Sequence, residues 1–289
     1  MFTHFDEERI DVGEAEIFLR RGGEGPPLLL LHGYPQTHVT WHKIAPQLAD
    51  EYTVVAPDLR GYGDSTGPDD PDTEDYSNRA MARDMVTVME TLGYDDYLLA
   101  GHDRGARVAY RYALDHPDRV RKLAVLDIIP TLETVEAMDY EYANAMYHWL
   151  FLAQPHPIPE RLIGNDPTFY VDHLVENWAA YPDALDDDAL AEYYRCFRQE
   201  SVLRASCEDY RAGLSVDLEH DRATREAGER IECPVLALWG GASGTVSFDP
   251  LEVWERWATD VDGRGLDSGH FVMEEAPEAT LAELEAFLV

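Results

Sequence analysis

The chain has 289 residues, enough for two average domains or for one α/β domain with an insertion, and its 45% apolar share supplies a sizeable core. Fifty-seven Asp and Glu against 23 Lys and Arg give a formal net charge of −34, which argues against nucleic acid or an anionic membrane as partner. The acids are dispersed, not gathered in a tail, and Lys43 and Lys122 are the only lysines, a surface that fits adaptation to molar salt, where screening removes much of the self-repulsion.

Segments 17–20 and 27–31 read as strands, 41–48 as a short helix and 52–57 as a strand. Next come a helix over 79–92, a strand over 97–100, a helix over 105–116 and a strand over 122–127. Apolar strands alternating with helices predict a buried, mostly parallel sheet. From 131 to 217 the pattern turns helical and rich in Tyr, Trp and Asp, with breaks at Pro155, Pro157, Pro159, Pro167 and Pro182. Strands over 235–239 and 264–266 and a helix near 280–288 then return. The simplest organisation is an α/β core, residues 1–130 and 218–289, interrupted by a helical cap over 131–217. The acidic clusters at 69–72 and 186–188 read as solvated loops.

Cys196, Cys207 and Cys233 are odd in number and lack Cys-x-x-Cys spacing, so they read as buried thiols in a reducing compartment, not as a disulfide framework or a metal site. The first residues are too charged for a signal peptide, and no apolar run approaches the ~20 residues of a membrane helix. A cytoplasmic protein is expected.

The chemistry concentrates at Gly101-His102-Asp103-Arg104-Gly105, between an apolar strand and an amphipathic helix. That is the strand–turn–helix setting of a nucleophile elbow, with Asp where esterases carry Ser. A carboxylate there can displace a leaving group from carbon and form a covalent ester. His32-Gly33-Tyr34-Pro35 follows the strand 28–31, where such hydrolases place an oxyanion-binding amide; the candidates are the N–H groups of Tyr34 and Arg104. An ester on Asp103 needs a base to activate water, and His270, in the loop before the last helix, stands in the triad order nucleophile, acid, His. Its orienting acid is read as Asp127, at the end of the strand after the elbow helix, because 240–243 contain no acid.

Arg104 and Arg107 follow the nucleophile and can face one cavity at a helix N-terminus, where an acid group would be held. Tyr147-His148-Trp149, ahead of the break at Gln154-Pro155, fits either an aromatic cap core or a set of N–H donors for a departing halide. Tyr210 is either a third donor or a packed ring. Trp178 suits the mouth of the pocket and the cap core equally.

Taken together these residues resemble the haloacetate (fluoroacetate) dehalogenases of the α/β-hydrolase superfamily over nearly the whole chain. The likeness runs through 32–38, 58–65, 101–107, 126–131, 147–149, 151–155, 207–213 and 268–271. Its specific part is the Arg pair, the His-Trp pair and the stretch around Tyr210. The resemblance implies an α/β-hydrolase fold with Asp103 as nucleophile, His270 as base and Asp127 as its partner. It implies that Arg104 and Arg107 hold the substrate carboxylate while His148, Trp149 and Tyr210 receive the halide. It also implies no cofactor and no metal, a small anionic haloacid and water as reactants, and a homodimer. The family commonly carries Phe where this chain has Tyr34. An epoxide hydrolase is the rival enzyme; it would draw its proton from Tyr147 or Tyr210 and has no need of the two arginines. An inactive binding protein on a hydrolase scaffold is the reading from another class, and the complete triad opposes it.

Overall fold

A single sheet of eight strands organises the chain: β1 (Asp6–Asp11), β2 (Glu16–Gly22), β3 (Pro27–Leu31), β4 (Thr53–Pro57), β5 (Tyr97–His102), β6 (Val120–Leu126), β7 (Val235–Gly240) and β8 (Val261–Leu266). This is a computed structural model, and it describes residues 1–68 and 70–289. The strand order is β1-β2-β4-β3-β5-β6-β7-β8. The pairs β1–β2 and β2–β4 are antiparallel, and every other pair is parallel. The central strands are apolar throughout because both faces are covered. Leu29, Leu31, Leu99 and Val125 pack into one core, while Leu28, Leu30, Leu98 and Leu126 pack into the other, as the two-residue period of a strand requires.

Two edges differ from the expectation. β1, Asp-Glu-Glu-Arg-Ile-Asp, carries no apolar run; only Ile10 is buried, and the strand pairs its charges across to Glu16, Arg20 and Arg21 of β2. Charges on an edge strand discourage pairing with other chains. β8 starts three residues earlier than 264, at Val261, and its Asp, Gly and Arg content hides it from a search for apolar alternation.

Between β6 and β7 lie only helices, from Thr131–Glu136 to Val216–Ala227. The expected boundary after residue 217 therefore falls inside the last of these helices. The prolines act as starters as well as breaks. Pro167 opens helix Pro167–Trp178, and Pro159 sits in the first turn of Ile158–Ile163, where a missing N–H costs nothing. Helices Glu200–Gly213 and Val216–Ala227 dock on the elbow helix, Arg104–Asp115, through buried pairs: Arg104 with Asp209, and Arg111 with Asp221 at 2.8 Å. Asp70, Asp72 and Asp186 to Asp188 are solvent-exposed as expected, but Asp187 and Asp188 open the helix Asp187–Phe197, where acids favour the N-terminus, instead of lying in a loop. Asp69 lies outside the described residues. Among the described residues no helix is long and apolar enough to cross a membrane.

Candidate active site

β5 ends at His102 and the helix Arg104–Asp115 begins two residues later, so the turn is made by Asp103 alone. Its backbone sits at φ 46°, ψ −117°, a conformation costly for a side-chain-bearing residue. Its N–H donates to Leu126 O of β6 at 3.2 Å, and its own carbonyl accepts from Ala106 and Arg107 as the helix opens. The neighbouring glycines are needed for close approach: a Cβ on Gly105 would come within 2.3 Å of His32 O, and one on Gly33 within 2.4 Å of Asp103 Cβ. The sharp turn and the adjacent loop thus hold the carboxylate at the top of the sheet.

The loop after β3 meets it. Tyr34 N–H donates to Asp103 Oδ1 at 2.8 Å. The other oxygen, Oδ2, lies 3.9 Å from His270 Nε2, which is buried without a hydrogen-bond partner. His270 Nδ1 is 2.6 Å from Asp127 Oδ2. Asp127, just past β6 and also at positive φ (54°), is held in turn by Gly240 N–H at 3.0 Å and by Ser243 Oγ–H at 2.6 Å, both on its Oδ1. Segment 240–243 thus supplies two donors to the acid instead of the acid itself.

The electrostatics divide the three groups. Burial alone would raise the Asp103 carboxyl, but His270, His102 and Arg107 and the Tyr34 N–H together hold it below the ordinary carboxylate value. Burial likewise works against a charged His270, yet the hydrogen bond and charge of Asp127, with the charge of Asp103, raise it above the ordinary histidine value. His102, buried and beside His270, is pushed down to about 4 and stays neutral. It lies with its Nε2 2.8 Å from His270 O and so fixes the backbone of that histidine. The sequence displayed His102 inside the elbow motif, but nothing in its spacing revealed that contact.

A cavity of about 170 Å³ opens onto Asp103, Arg107, Asp127, His148, Trp178 and His270. Trp178, left between two placements, lines it; its ring lies between those of His148 at 4.6 Å and His270 at 5.3 Å. Burial pushes His148 down to about 3, so it is a neutral imidazole, and its Nδ1 has no hydrogen-bond partner. Tyr142, Thr134 and Met146 complete the far wall; no motif marked them.

The two arginines do not form a symmetric clamp. Arg107 lines the cavity, lies over the Trp149 ring at 4.5 Å, and donates only to Ile129 O at 3.1 Å and Thr131 Oγ1 at 3.0 Å, leaving Nε without a partner. Burial and the nearby Arg104 depress its affinity for the proton. Arg104 instead turns its fork onto Asp209, with Nε at 2.9 Å from Oδ2 and Nη2 on Oδ1, and Asp217 stands 4.0 Å away. Asp209 also accepts from Tyr62 Oη at 2.7 Å.

Trp149 and Tyr210 are also set back from the open cavity, each only 1% exposed. Trp149 packs under Arg107, and Tyr210 stacks edge-on against Tyr34 at 5.1 Å and His148 at 5.7 Å. Burial and the Asp103 charge raise the Tyr210 hydroxyl well above its ordinary pKa, so it remains a donor. Tyr147, 38% exposed, is not part of the cavity wall. Among the described residues no group of His, Cys, Asp and Glu is placed to hold a metal ion.

An eight-stranded, mostly parallel sheet with an Asp at its strand–helix turn and an Asp–His pair beside it is the framework of an α/β-hydrolase-fold enzyme. Residues 26–277 match the alpha/beta hydrolase fold family, and the chain belongs to it. A fluoroacetate dehalogenase from Burkholderia sp is 44% identical over 291 residues, spanning 100% of this chain and 95% of the relative. A soluble epoxide hydrolase from Corynebacterium sp. (strain C12) is 34% identical, spanning 89% and 87%. Among solved structures, an alpha/beta hydrolase from Nostoc sp PCC 7120 superposes with a TM-score of 0.97 at 52% identity, spanning 100% and 99%.

Proposed function

We propose that this hydrolase cleaves the carbon–halogen bond of small 2-haloacids, giving the 2-hydroxyacid and halide through an aspartyl-ester intermediate. The observation that carries the reading is Arg107, a buried cation on the cavity wall that makes no salt bridge among the described residues and feels only the more distant charge of Asp103. Burying an unpaired charge is expensive, and an anionic substrate supplies the missing counter-charge beside the nucleophile. The likeness to the Burkholderia dehalogenase supports the same reading.

The geometry divides the labour between the two carboxylate oxygens. Oδ1 is engaged by Tyr34 N–H, so Oδ2 is free to attack the α-carbon in line with the departing halide. Halide leaves toward the cap, where the N–H of neutral His148, the Trp149 indole and the Tyr210 hydroxyl replace its hydration as charge develops. Neutral His270 then takes a proton from water, which adds to Asp103 Cγ. The oxyanion forms on Oδ1, already beside Tyr34 N–H, and the first-turn amide of Arg104, which the helix leaves unbonded, is the second donor in this reading. Collapse breaks the bond between Cγ and Oδ2 as protonated His270 returns its proton to the departing alkoxide oxygen, giving the hydroxyacid. The new Asp103 carboxylic acid loses its remaining proton to solvent, restoring the carboxylate and neutral His270.

Epoxide opening needs the same triad and a cap hydroxyl as acid, and of the two tyrosines considered only Tyr210 is buried beside the nucleophile. That reading leaves Arg107 without a directly bonded anion, with only the Asp103 charge near it. Halide release from haloacetates, measured against diol formation from a terminal epoxide, decides between them. Diol without halide rejects the dehalogenase, and inertness toward both leaves a binding protein. Adaptation to high salt, supported by the −34 charge and the near absence of lysine, and a cytoplasmic location, supported by three free cysteines, are further parts of the proposal.

A further inference from the structure

We infer that Glu275 is a positioning residue whose carboxylate ties the cap segment 178–181 to the loop carrying His270, so that a docked cap sets the geometry of the base. This rests on the reading of His270 as the base for ester hydrolysis. Four backbone N–H groups converge on the one side chain. Oε2 accepts from Gly269 at 2.9 Å, Ala180 at 2.7 Å and Tyr181 at 3.0 Å, and Oε1 accepts from Phe271 at 2.9 Å. Two donors flank His270, and two belong to the cap segment just beyond Trp178.

The backbone adds a direct tie: His270 N–H donates to Trp178 O at 2.9 Å. Contact between the two segments is so close that a Cβ on Gly269 would stand 2.3 Å from Ala180 N and 2.4 Å from Trp178 O. The adjacent Glu274 makes a parallel link, accepting from Tyr193 of the cap at 3.2 Å and from Gln36 of the oxyanion loop. Two successive carboxyl groups therefore join the cap, the His270 loop and the oxyanion loop. None of this is required to make the histidine basic, since Asp127 already does so. What it supplies is registration: Trp178 lines the cavity, and its own carbonyl holds the base.

A carboxylate suits this role and an amide does not. Hydrogen bonds to a charged acceptor are roughly twice as strong as neutral ones, and glutamine has one acceptor oxygen where four donors need two. The charge also reaches the imidazole, which is faced by Asp103, Asp127 and Glu275 as acids and by His102 and His148 as neutral rings.

The test is Glu275→Gln in the full chain. Amides in 178–181 and in 268–271 should exchange with solvent faster together, each by about tenfold or more, as expected for losing charge-assisted bonds. The His270 imidazole, followed by NMR, should titrate at lower pH than in the parent. With haloacetate, alkylation should be nearly unchanged while ester hydrolysis slows about 10- to 100-fold, the scale of a small misplacement of a catalytic group. Halide would then appear as a burst of one equivalent before a slow steady state. Gly269→Ala pries the two segments apart with Glu275 intact, so it should reproduce the burst without the same downward titration shift.

Faster exchange in one segment only, or equal slowing of both chemical steps in parallel with a lower Tm, overturns the inference. If Glu275→Gln fails to fold, Gly269→Ala decides: no burst and no coupled exchange rejects it. Parent enzyme that releases no halide rejects the dehalogenase reading instead, and exchange and titration still judge the tie.

Discussion

Tyr34 N–H lies 2.8 Å from Asp103 Oδ1, while Asp103 Oδ2 faces His270 Nε2 at 3.9 Å, so the two oxygens of one carboxylate have different surroundings. Oxygen-isotope labelling reads that difference. In a single turnover in ¹⁸O-water, the first hydroxyacid should be unlabelled, and one ¹⁸O should appear in the peptide carrying Asp103. Label found directly in the first product means that water attacks carbon without an ester. Asp103→Asn should abolish turnover, apart from slow recovery if the amide deamidates.

The two histidines of the cavity should fail at different steps. His270→Asn keeps the nucleophile, so the ester should accumulate and add the mass of the acyl fragment to the protein. His148→Ala should slow the first step, and more for fluoride than for bromide, because fluoride loses the stronger hydration. Equal losses for both halides remove His148 from the leaving-group site.

The pH dependence follows from the same pair. His270 works only when neutral, and it is raised above the ordinary histidine value despite burial, through Asp127 and Asp103. Asp103 is lowered and stays ionised well below that range. The His270 imidazole of the free enzyme, followed by NMR, should therefore titrate at a midpoint above about 6.5, the ordinary value. Ester hydrolysis should fall as pH drops through a lower midpoint, because the esterified Asp103 has lost its charge. Asp127→Asn removes the largest raising influence, so its midpoint should move to lower pH while its plateau rate drops. A midpoint that stays in place would falsify the assignment of Asp127.

The arginines should separate cleanly. Arg107→Met should raise KM for haloacetate, with little effect on reaction with neutral haloacetamide. Arg104→Met leaves Asp209 buried without its cation, with Asp217 close by, and breaking such a pair costs about 3–5 kcal/mol. Its principal signature should be a large fall in Tm, partly recovered by adding Asp209→Asn. An Arg104 variant with parental Tm and a raised KM would restore the two-arginine clamp.

This division shows what the sequence could display. The elbow, the His32 loop, Asp127 and His270 are local motifs at or shortly after strand ends, and the strand pattern placed them at the carboxyl end of one sheet. The alternation of apolar strands and helices likewise exposed the core, because burial on both faces leaves an unmistakable run at β3, β5 and β6. Long-range pairings left no such trace. Asp209 is adjacent to Tyr210 in the chain, yet its 105-residue reach to Arg104 is visible only when the cap helix docks. Ser243 and Glu275 act on Asp127 and on backbone amides, contacts that residue type and spacing do not encode. β1 escaped for the opposite reason: an edge strand with one buried side chain reads as a charged loop.

The last prediction concerns how so acidic a chain captures an anion. With a formal charge of −34, long-range repulsion should oppose haloacetate at low ionic strength. The Debye length is ~30 Å at 0.01 M and ~3 Å at 1 M, so salt removes most of that repulsion. Arg107 acts at contact distance from within a buried wall and should be screened far less. Added salt should therefore raise kcat/KM for haloacetate while leaving kcat/KM for haloacetamide nearly constant. The comparison belongs in the range where circular dichroism shows an unchanged fold, since salt also alters the stability of a self-repelling surface. In Arg107→Met the salt response should persist, because it belongs to the surface, while KM for the anion stays high at every salt concentration. Insensitivity of the parent enzyme to salt, or equal responses of the charged and neutral substrates, would mean that local rather than global charge controls capture.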